Sequence, residues 1–366
     1  MKIATVVSFL EEYAPSVLQE AYDNSGLLIG HPEWDCTGIV CALDVTAEVI
    51  EEAVLKKCNM VVVHHPLIFK GIKKINGDNH VERTVIAAIK NNIAVYAIHT
   101  NLDNVIRGVS GKMADLLGLK NTRVLQRNKD VLKKLFCFVP PSHLEAVRNA
   151  VFTAGAGTIG NYSECSFSHP GTGTFTAGEG TNPFIGKVGE RHVAGEEKLE
   201  VIYFAHNERS IISALKASHP YEEVAIDIIS LDNTHQGIGS GIIGTLQNPL
   251  DPAAFLEKLK QVFRIPVIRH TIISNKPIHV VALCGGAGSF LIAKALGAGA
   301  DAFVTADLKY HEFFEGNGKM LLADIGHFES EQFTINLLAE ILEEKFPTFA
   351  VLKTGVNTNP VRYYQA

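Results

Sequence analysis

The sequence predicts an α/β protein with two similar α/β halves and a ferredoxin-like domain inserted between them. Apolar strands alternate with amphipathic helices near both ends of the chain, a pattern typical of parallel sheets covered by helices. Between these regions the predicted order changes to βαββαβ, which is the order of a ferredoxin-like domain. A chain of 366 residues, 46% of them hydrophobic, is long enough for about two or three domains.

The first half is predicted from alternating strands and helices. We expect strands over residues 37–46 and 59–66, joined by a helix over residues 47–58. A further helix over residues 79–92 leads to a strand over residues 93–104. Three consecutive valines before two adjacent histidines suit a strand buried on both faces, so this sheet should be parallel.

The second half repeats this plan near the carboxyl terminus. Residues 279–313 predict a strand, a helix and an apolar strand that ends in polar residues, and another strand follows over residues 320–323. The dipeptide Ala-Leu occurs at both 42–43 and 282–283, which favours a duplicated architecture. Buried βαβ units also resemble one another without duplication.

The inserted domain is predicted over residues 128–231, which leaves residues 1–127 and 232–366 as the α/β core. The polar stretches QRNKD and DNTHQGIGSG flank the insertion, as is typical of joints between domains. A hairpin rich in glycine and threonine lies within it. The insertion should therefore fold as a separable unit.

Composition excludes several classes of protein. The formal net charge is −6 and no run of Lys or Arg occurs, so neither nucleic acid nor an anionic membrane surface is expected as a partner. Glu11 and Glu12 interrupt the apolar pattern at the start, and no later segment reaches membrane-spanning length, so we expect a cytoplasmic protein. The six cysteines are scattered without a CxxC pair, which indicates reduced packing residues.

Candidate ligand residues occur where the strands of the first half end. Pro66 stops the pairing of one strand just after His64 and His65, and the next strand ends near His99 and Asp103. Ligands bind at the carboxyl ends of strands in open α/β sheets, which favours a functional site. Interpretations without a function remain open: one histidine of the pair could be buried and the other solvated, and Asp103 could belong to an ordinary turn.

His327 and Glu331 are spaced by four residues on a predicted helix and therefore share a face, as an ordinary surface pair also would. With the strand-end residues they complete a set of five nitrogen and oxygen donors: His64, His65, Asp103, His327 and Glu331. A catalytic zinc takes three protein ligands, so five donors suit two ions that share a carboxylate. The absence of cysteine argues against a structural zinc.

A resemblance to a known family rests on seven stretches in the family's order: YDNSGLLIG (22–30), ALDVTAEVIEEA (42–53), VVVHHPLIF (61–69), HTNLDN (99–104), TADLKYHEF (305–313), DIGHFESE (324–331) and TNPVRYY (358–364). In these stretches the chain resembles the Nif-three-like proteins, also called the GTP cyclohydrolase I type 2 family. The insertion resembles the PII-like or CutA-like domain of the longer members.

The resemblance implies a dinuclear centre whose ligands map onto the same five donors. Zinc is expected, with iron, manganese or cobalt as alternatives, because histidine with carboxylate suits each of them. The family name implies that a metal-bound hydroxide attacks C8 of the guanine of GTP and that formate is released. His99 and His311 are then candidates for proton transfer, and His99 could instead orient Asp103.

Two functions remain open on the sequence alone. The first is a dinuclear hydrolase of a nucleotide or another small molecule, and the second is a non-catalytic metal-binding regulator that senses a small molecule through the insertion. The stretch CGGAGS (284–289) fits either a phosphate cradle or tight packing.

Assembly is predicted as well. The resemblance implies a homohexameric ring, and the apolar and aromatic residues at 361–364 suit an interface. The hairpin at residues 171–181 could then gate the openings of that ring.

Overall fold

The valine-rich stretch before the paired histidines forms a central strand of a largely parallel sheet. The computed structural model describes residues 1–272 and 275–364. The sheet has the order β1-β4-β3-β2-β15, and only β1 runs antiparallel to its neighbour. Its strands, labelled in chain order, are β1 (Gly26–Ile29), β2 (Ile39–Ala42), β3 (Met60–Val63), β4 (Ala94–Ala97) and β15 (Val351–Lys353).

Helices cover both faces of this first sheet, which explains why its central strands are wholly buried. One face packs against α1 (Ile3–Tyr13) and α11 (Thr334–Lys345), and the other against α2 (Ala47–Leu55) and α3 (His80–Lys90). Side-chain caps fix where two of these helices begin, because Thr46 accepts from the Val49 N–H and Asn79 from the Glu82 N–H.

The second sheet has the order β11-β14-β13-β12-β10-β5, with β12, β13 and β14 parallel. The predicted second half therefore also contains three adjacent parallel strands. The strands are β5 (Lys120–Arg127), β10 (Gly239–Leu250), β11 (Arg269–His270), β12 (Ile278–Ala287), β13 (Ala302–Ala306) and β14 (Leu321–Asp324). The accompanying helices are α4 (Thr100–Asp103), α5 (Val109–Leu117), α8 (Pro252–Phe263), α9 (Ile292–Gly297) and α10 (His327–Glu331).

The chain divides into two units, one of Met1–Arg127 with Gln236–Ala366 and one of Asn128–His235. The second unit is an antiparallel sheet in the order β7-β8-β6-β9, with two helices packed on one face. Its elements in chain order are β6 (Leu132–Val139), α6 (Leu144–Thr153), β7 (Ser166–Thr176), β8 (Arg191–Phe204), α7 (Glu208–Ser218) and β9 (Ile226–Ser230).

Short 3₁₀ segments complete the secondary structure: Ser16–Leu18, Pro141–His143, Ala205–Asn207, Ser289–Leu291 and Tyr310–Gly316. Within the described ranges, every helix is too short or too polar to cross a bilayer. All six cysteines are free thiols, and each is buried except Cys165, which is half-buried.

One predicted element is wrong in part. The strand expected over residues 93–104 ends at Ala97, and Thr100–Asp103 forms the helical turn α4. Side chains satisfy the backbone there, because Asn101 Oδ1 accepts from the His99 N–H (2.9 Å) and Asp23 Oδ2 accepts from the Thr100 N–H (3.0 Å). These local bonds replace ladder pairing, so polar residues after a strand shorten it.

Candidate metal centre

Polar side chains from both sheets of the first unit meet at the carboxyl ends of their parallel strands. His64 and His65 directly follow β3, and Asp103 closes the turn α4 that follows β4. His327 and Glu331 are the first and last residues of α10, which follows β14. Donor atoms of these five side chains lie within 4.8 Å of one another in two overlapping groups.

Local backbone geometry places these side chains. The N–H groups of His64 and His65 both donate to the carbonyl of Leu43 (3.2 and 2.9 Å), so the ladder ends there and the two histidines leave the sheet. Gly326 has a φ of +89°, a conformation that glycine tolerates, at the turn into α10. The helical spacing then puts His327 and Glu331 on one face.

The donors form two sets of three that share one carboxylate, and His64, His65 and His99 form a third group without a carboxylate. The first set is His65, His327 and Glu331, and the second is His64, Asp103 and Glu331. Glu331 Oε2 lies 2.9 Å from His65 Nε2 and 3.1 Å from His327 Nε2, while Oε1 lies 3.8 Å from His64 Nε2. Each Glu331 oxygen thus faces a different set.

The three donor histidines are held in one orientation by their outer nitrogen. In each ring the Nδ1–H donates to an oxygen: His64 to the carbonyl of Ile98 (2.9 Å), His65 to Asp44 (2.7 Å) and His327 to Asp307 (2.7 Å). Metal-binding histidines are usually fixed by such a bond, which leaves Nε2 as the ligand atom.

Buried atoms at the centre lack the partners that they need. Within the part of the chain that the structure describes, His64 Nε2 and Asp103 Oδ1 are buried without a hydrogen bond, and they lie 3.7 Å apart. His65 Nε2 and His327 Nε2 lie 3.4 Å apart, and both contact Glu331 Oε2. Because such groups are costly to bury unpaired, this donor set fits divalent cations.

The pKa values of the metal-free cluster are shifted by burial and by the close approach of its charged groups. Burial lowers the pKa of His65, but Asp44 and Glu331 outweigh it and raise that pKa to about 10. Burial also lowers the pKa of His327, while Glu331 and Asp307 raise it to about 9. Burial and the nearby Glu331 carboxylate raise the pKa of Asp103 to about 7.

Glu331 itself is almost completely buried. Burial acts to raise the pKa of its carboxyl group, but the neighbouring imidazoles of His327, His64 and His65 hold that pKa well below its usual range. Glu331 is therefore an anion at neutral pH, and a cation in the cluster would meet a charged ligand.

The two candidates for proton transfer are placed very differently. The His99 ring lies 5.1 Å from that of His64 between centroids, and its Nδ1–H donates to Asp23 Oδ1 at 2.8 Å. His311 is exposed in the Tyr310–Gly316 segment, where its ring contacts Tyr310 and Phe314. The structure therefore brings His99 to the cluster and leaves His311 outside it.

Sequence reasoning missed the carboxylates that orient the histidines, namely Asp23, Asp44 and Asp307. Each lies inside a stretch that carries the family resemblance, and this position was the available signal. Aspartate is common in turns, so its presence in a loop does not reveal that it contacts a distant histidine ring.

The cluster opens into a cavity of about 900 Å³ within the first unit. Three exposed aromatic side chains line it, those of Tyr22, Phe69 and Phe290, and Lys70 and His80 add basic side chains. This combination can hold a planar ring that carries an anionic group.

The glycine-rich stretch after β12 packs against the cluster. The Gly286 N–H donates to Ser330 Oγ (2.9 Å) and the Gly288 N–H to Thr305 Oγ1 (3.0 Å), so these groups are engaged within the protein. A Cβ atom at Gly286 would collide with Glu331 Oε1. Of the two interpretations of CGGAGS, the structure favours tight packing over a phosphate cradle.

Fold and site together define a mixed α/β protein with a buried histidine and carboxylate cluster that can hold metal ions. A family model, Duf34/NIF3 (NGG1p interacting factor 3), matches residues 1–360. The chain therefore belongs to the Duf34/NIF3 family.

Individual relatives agree with this assignment. A protein of Halalkalibacterium halodurans named GTP cyclohydrolase 1 type 2 homolog is 38% identical, over 99% of this chain and 100% of its own length. A Bacillus subtilis protein of the same name is 35% identical, over 98% and 97% respectively. The crystal structure of a Bacillus cereus protein related to NIF3 matches with a TM-score of 0.83 at 36% identity, covering 100% of this chain and 99% of that one.

Proposed function

We propose that this protein is a dinuclear metal-dependent hydrolase that acts on a nucleotide. The observation that carries the proposal is the pair of donor sets that share Glu331, because a shared carboxylate between two open sets is the arrangement of two-metal hydrolytic sites. The name GTP cyclohydrolase 1 type 2 homolog, borne by the relatives, supports GTP as the first substrate to test.

His65 and His327 would hold one ion and His64 with Asp103 the other. Two divalent ions, zinc or else iron, manganese or cobalt, would activate water and polarise an electrophile. The chain's own residues orient the donors through Nδ1, and the burial of His64 and Glu331 excludes water from their side of the cluster. His99 Nε2 would take or give a proton, with Asp23 holding the ring.

Substrate binding is proposed in the cavity beside the cluster. The exposed rings of Tyr22, Phe69 and Phe290 suit stacking on a purine, and Lys70 at the same cavity suits a phosphate group. With GTP, hydrolytic opening of the imidazole ring at C8 would release formate. The cluster chemistry also serves phosphoester or amide hydrolysis, so the test must cover these bonds.

A metal analysis combined with a hydrolysis screen tests the proposal. We expect about two metal ions per chain, and formate release from GTP that is lost after metal removal and restored by adding the ion back. His99→Gln should reduce turnover. His311 lies outside the cluster, so His311→Gln should leave turnover unchanged. Metal-replete protein that hydrolyses none of the nucleotides, phosphoesters or amides would overturn the catalytic proposal.

A second candidate function, a metal-binding regulator that senses a small molecule, is favoured by a cavity of about 590 Å³ in the unit Asn128–His235. Aromatic and acidic side chains line it, among them Phe175, Phe184, Tyr221 and Glu196. If sensing is the function, a small molecule should bind there without turnover, and Tyr221→Ala should abolish its binding but leave the metal content unchanged.

The order β7-β8-β6-β9, with both helices on one face, supports our proposal that this unit is a ferredoxin-like domain of the PII or CutA kind. We also propose a homohexamer for the whole chain. Its support is the exposed cluster of Val361, Tyr363 and Tyr364 near the carboxyl terminus, of a kind enriched at interfaces.

A further inference from the structure

The carboxyl-terminal tail after β15 contacts the metal centre through side chains outside the proposed ligand set. Thr358 Oγ1 donates to Asp44 Oδ2 at 2.7 Å, and Asp44 Oδ1 accepts from His65 Nδ1 at 2.7 Å. Asn359 Nδ2 donates to Oε1 of Glu329, a residue of α10, at 3.0 Å. The tail therefore contacts both the carboxylate that orients one ligand and the helix that supplies two others.

We propose that Thr358 is a positioning residue for the metal centre and acts on His65 through Asp44. The inference rests on the metal binding proposed above and adds a residue from a distant part of the chain. Among the described residues, each oxygen of Asp44 has one hydrogen-bond partner, Thr358 for Oδ2 and His65 for Oδ1. The threonine hydroxyl thus fixes the plane of the carboxylate, and the carboxylate fixes the plane of the imidazole.

Exposure of the carboxylate determines what replaces the hydroxyl when it is removed. The His65 side chain is 16% exposed and that of Asp44 is 34% exposed, so water can reach Asp44 in place of Thr358. Water would leave the carboxylate free to rotate, whereas Thr358 is anchored by the tail. Partners that orient metal-binding histidines typically contribute about 10- to 100-fold to metal affinity.

The same tail offers a matched control. Thr354 Oγ1 also donates to a carboxylate, that of Glu52 in α2, and the Gly355 N–H donates to the same side chain at 2.8 Å. Glu52 has no contact with the donor histidines among the bonds of the described residues. Thr354→Val therefore removes a similar hydroxyl contact from the tail without touching Asp44.

The experiment titrates Zn²⁺ into metal-free full-length protein in competition with a chromophoric chelator. We expect Thr358→Val to raise the Kd of one of the two ions by about tenfold, Thr358→Ser to restore it, and Thr354→Val to leave it unchanged. Equal effects of Thr358→Val and Thr354→Val, or no effect of either, would overturn the inference.

A second readout separates this inference from the proposed function. In metal-free protein with ¹⁵N-labelled histidine, the His65 Nδ1–H resonance should shift and exchange faster with water in Thr358→Val, but not in Thr354→Val. If the wild-type chain bound no metal, the proposed function would fail while this resonance still tested the positioning role. A His65 signal that is the same in wild type and Thr358→Val would overturn that role.

Discussion

Metal binding should release about two protons per chain near pH 7.5. In the metal-free protein the pKa of His65 is about 10 and that of His327 is about 9, so both imidazoles are protonated under these conditions. Each must lose a proton before its Nε2 can bind a cation. Asp103, with a pKa of about 7, adds only a fraction of a further proton.

The sign of the pH dependence follows from this count. Protons compete with the cation, so metal affinity should rise as the pH rises, about tenfold per unit for each proton released. The rise should continue until the pH passes about 9 for His327 and about 10 for His65, above which these rings are already neutral. Below pH 7, protonation of Asp103 should weaken the affinity further.

Isothermal titration calorimetry measures the proton count directly. Zn²⁺ is titrated at one pH in buffers with different ionisation enthalpies, and the slope of observed heat against ionisation enthalpy gives the protons released. Asp44→Asn removes a charge that raises the pKa of His65, so the count should fall. His311→Gln should not change it. A slope near zero for the wild type would refute the charge assignment of the cluster.

Three further predictions concern packing and assembly. Gly286→Ala should weaken Zn²⁺ binding by more than about tenfold in the calorimetric titration, because the added Cβ would displace Glu331. The control Gly297→Ala places its Cβ in open space and should leave Zn²⁺ binding unchanged. Tyr96→Phe should lower the free energy of unfolding by about 1 kcal/mol in urea melts, because the buried hydroxyl loses its bond to Glu11 (2.8 Å). Light scattering should give the mass of six chains, and a monomer mass would contradict the ring.

The elements that position the site could be predicted because buried parallel strands have a strong sequence signal. The valines of β3 are followed at once by His64 and His65, and the strand-end rule then groups them with Asp103 after β4. His327 and Glu331 could be added from their helical spacing and from the family resemblance. The structure brings all five side chains into one cluster.

The rest depends on tertiary contacts that leave little trace in one sequence. Asp44 contacts His65 and Thr358, and Asp44 and Thr358 are 314 positions apart in the sequence. On sequence alone His311 is as suitable as His99, because proximity to a strand end does not fix where a side chain points. The sequence does not reveal the turn α4, because local hydrogen bonds override an apparently continuous strand.

Anomalous diffraction from crystals grown with Zn²⁺ would show whether two ions share Glu331. We predict two anomalous peaks about 3.5 to 4 Å apart, one beside His65 and His327 and the other beside His64 and Asp103, with Glu331 between them. In crystals of Glu331→Gln at least one peak should be lost. A single peak in the wild type, or peaks that lie away from Glu331, would contradict a dinuclear centre shared by Glu331.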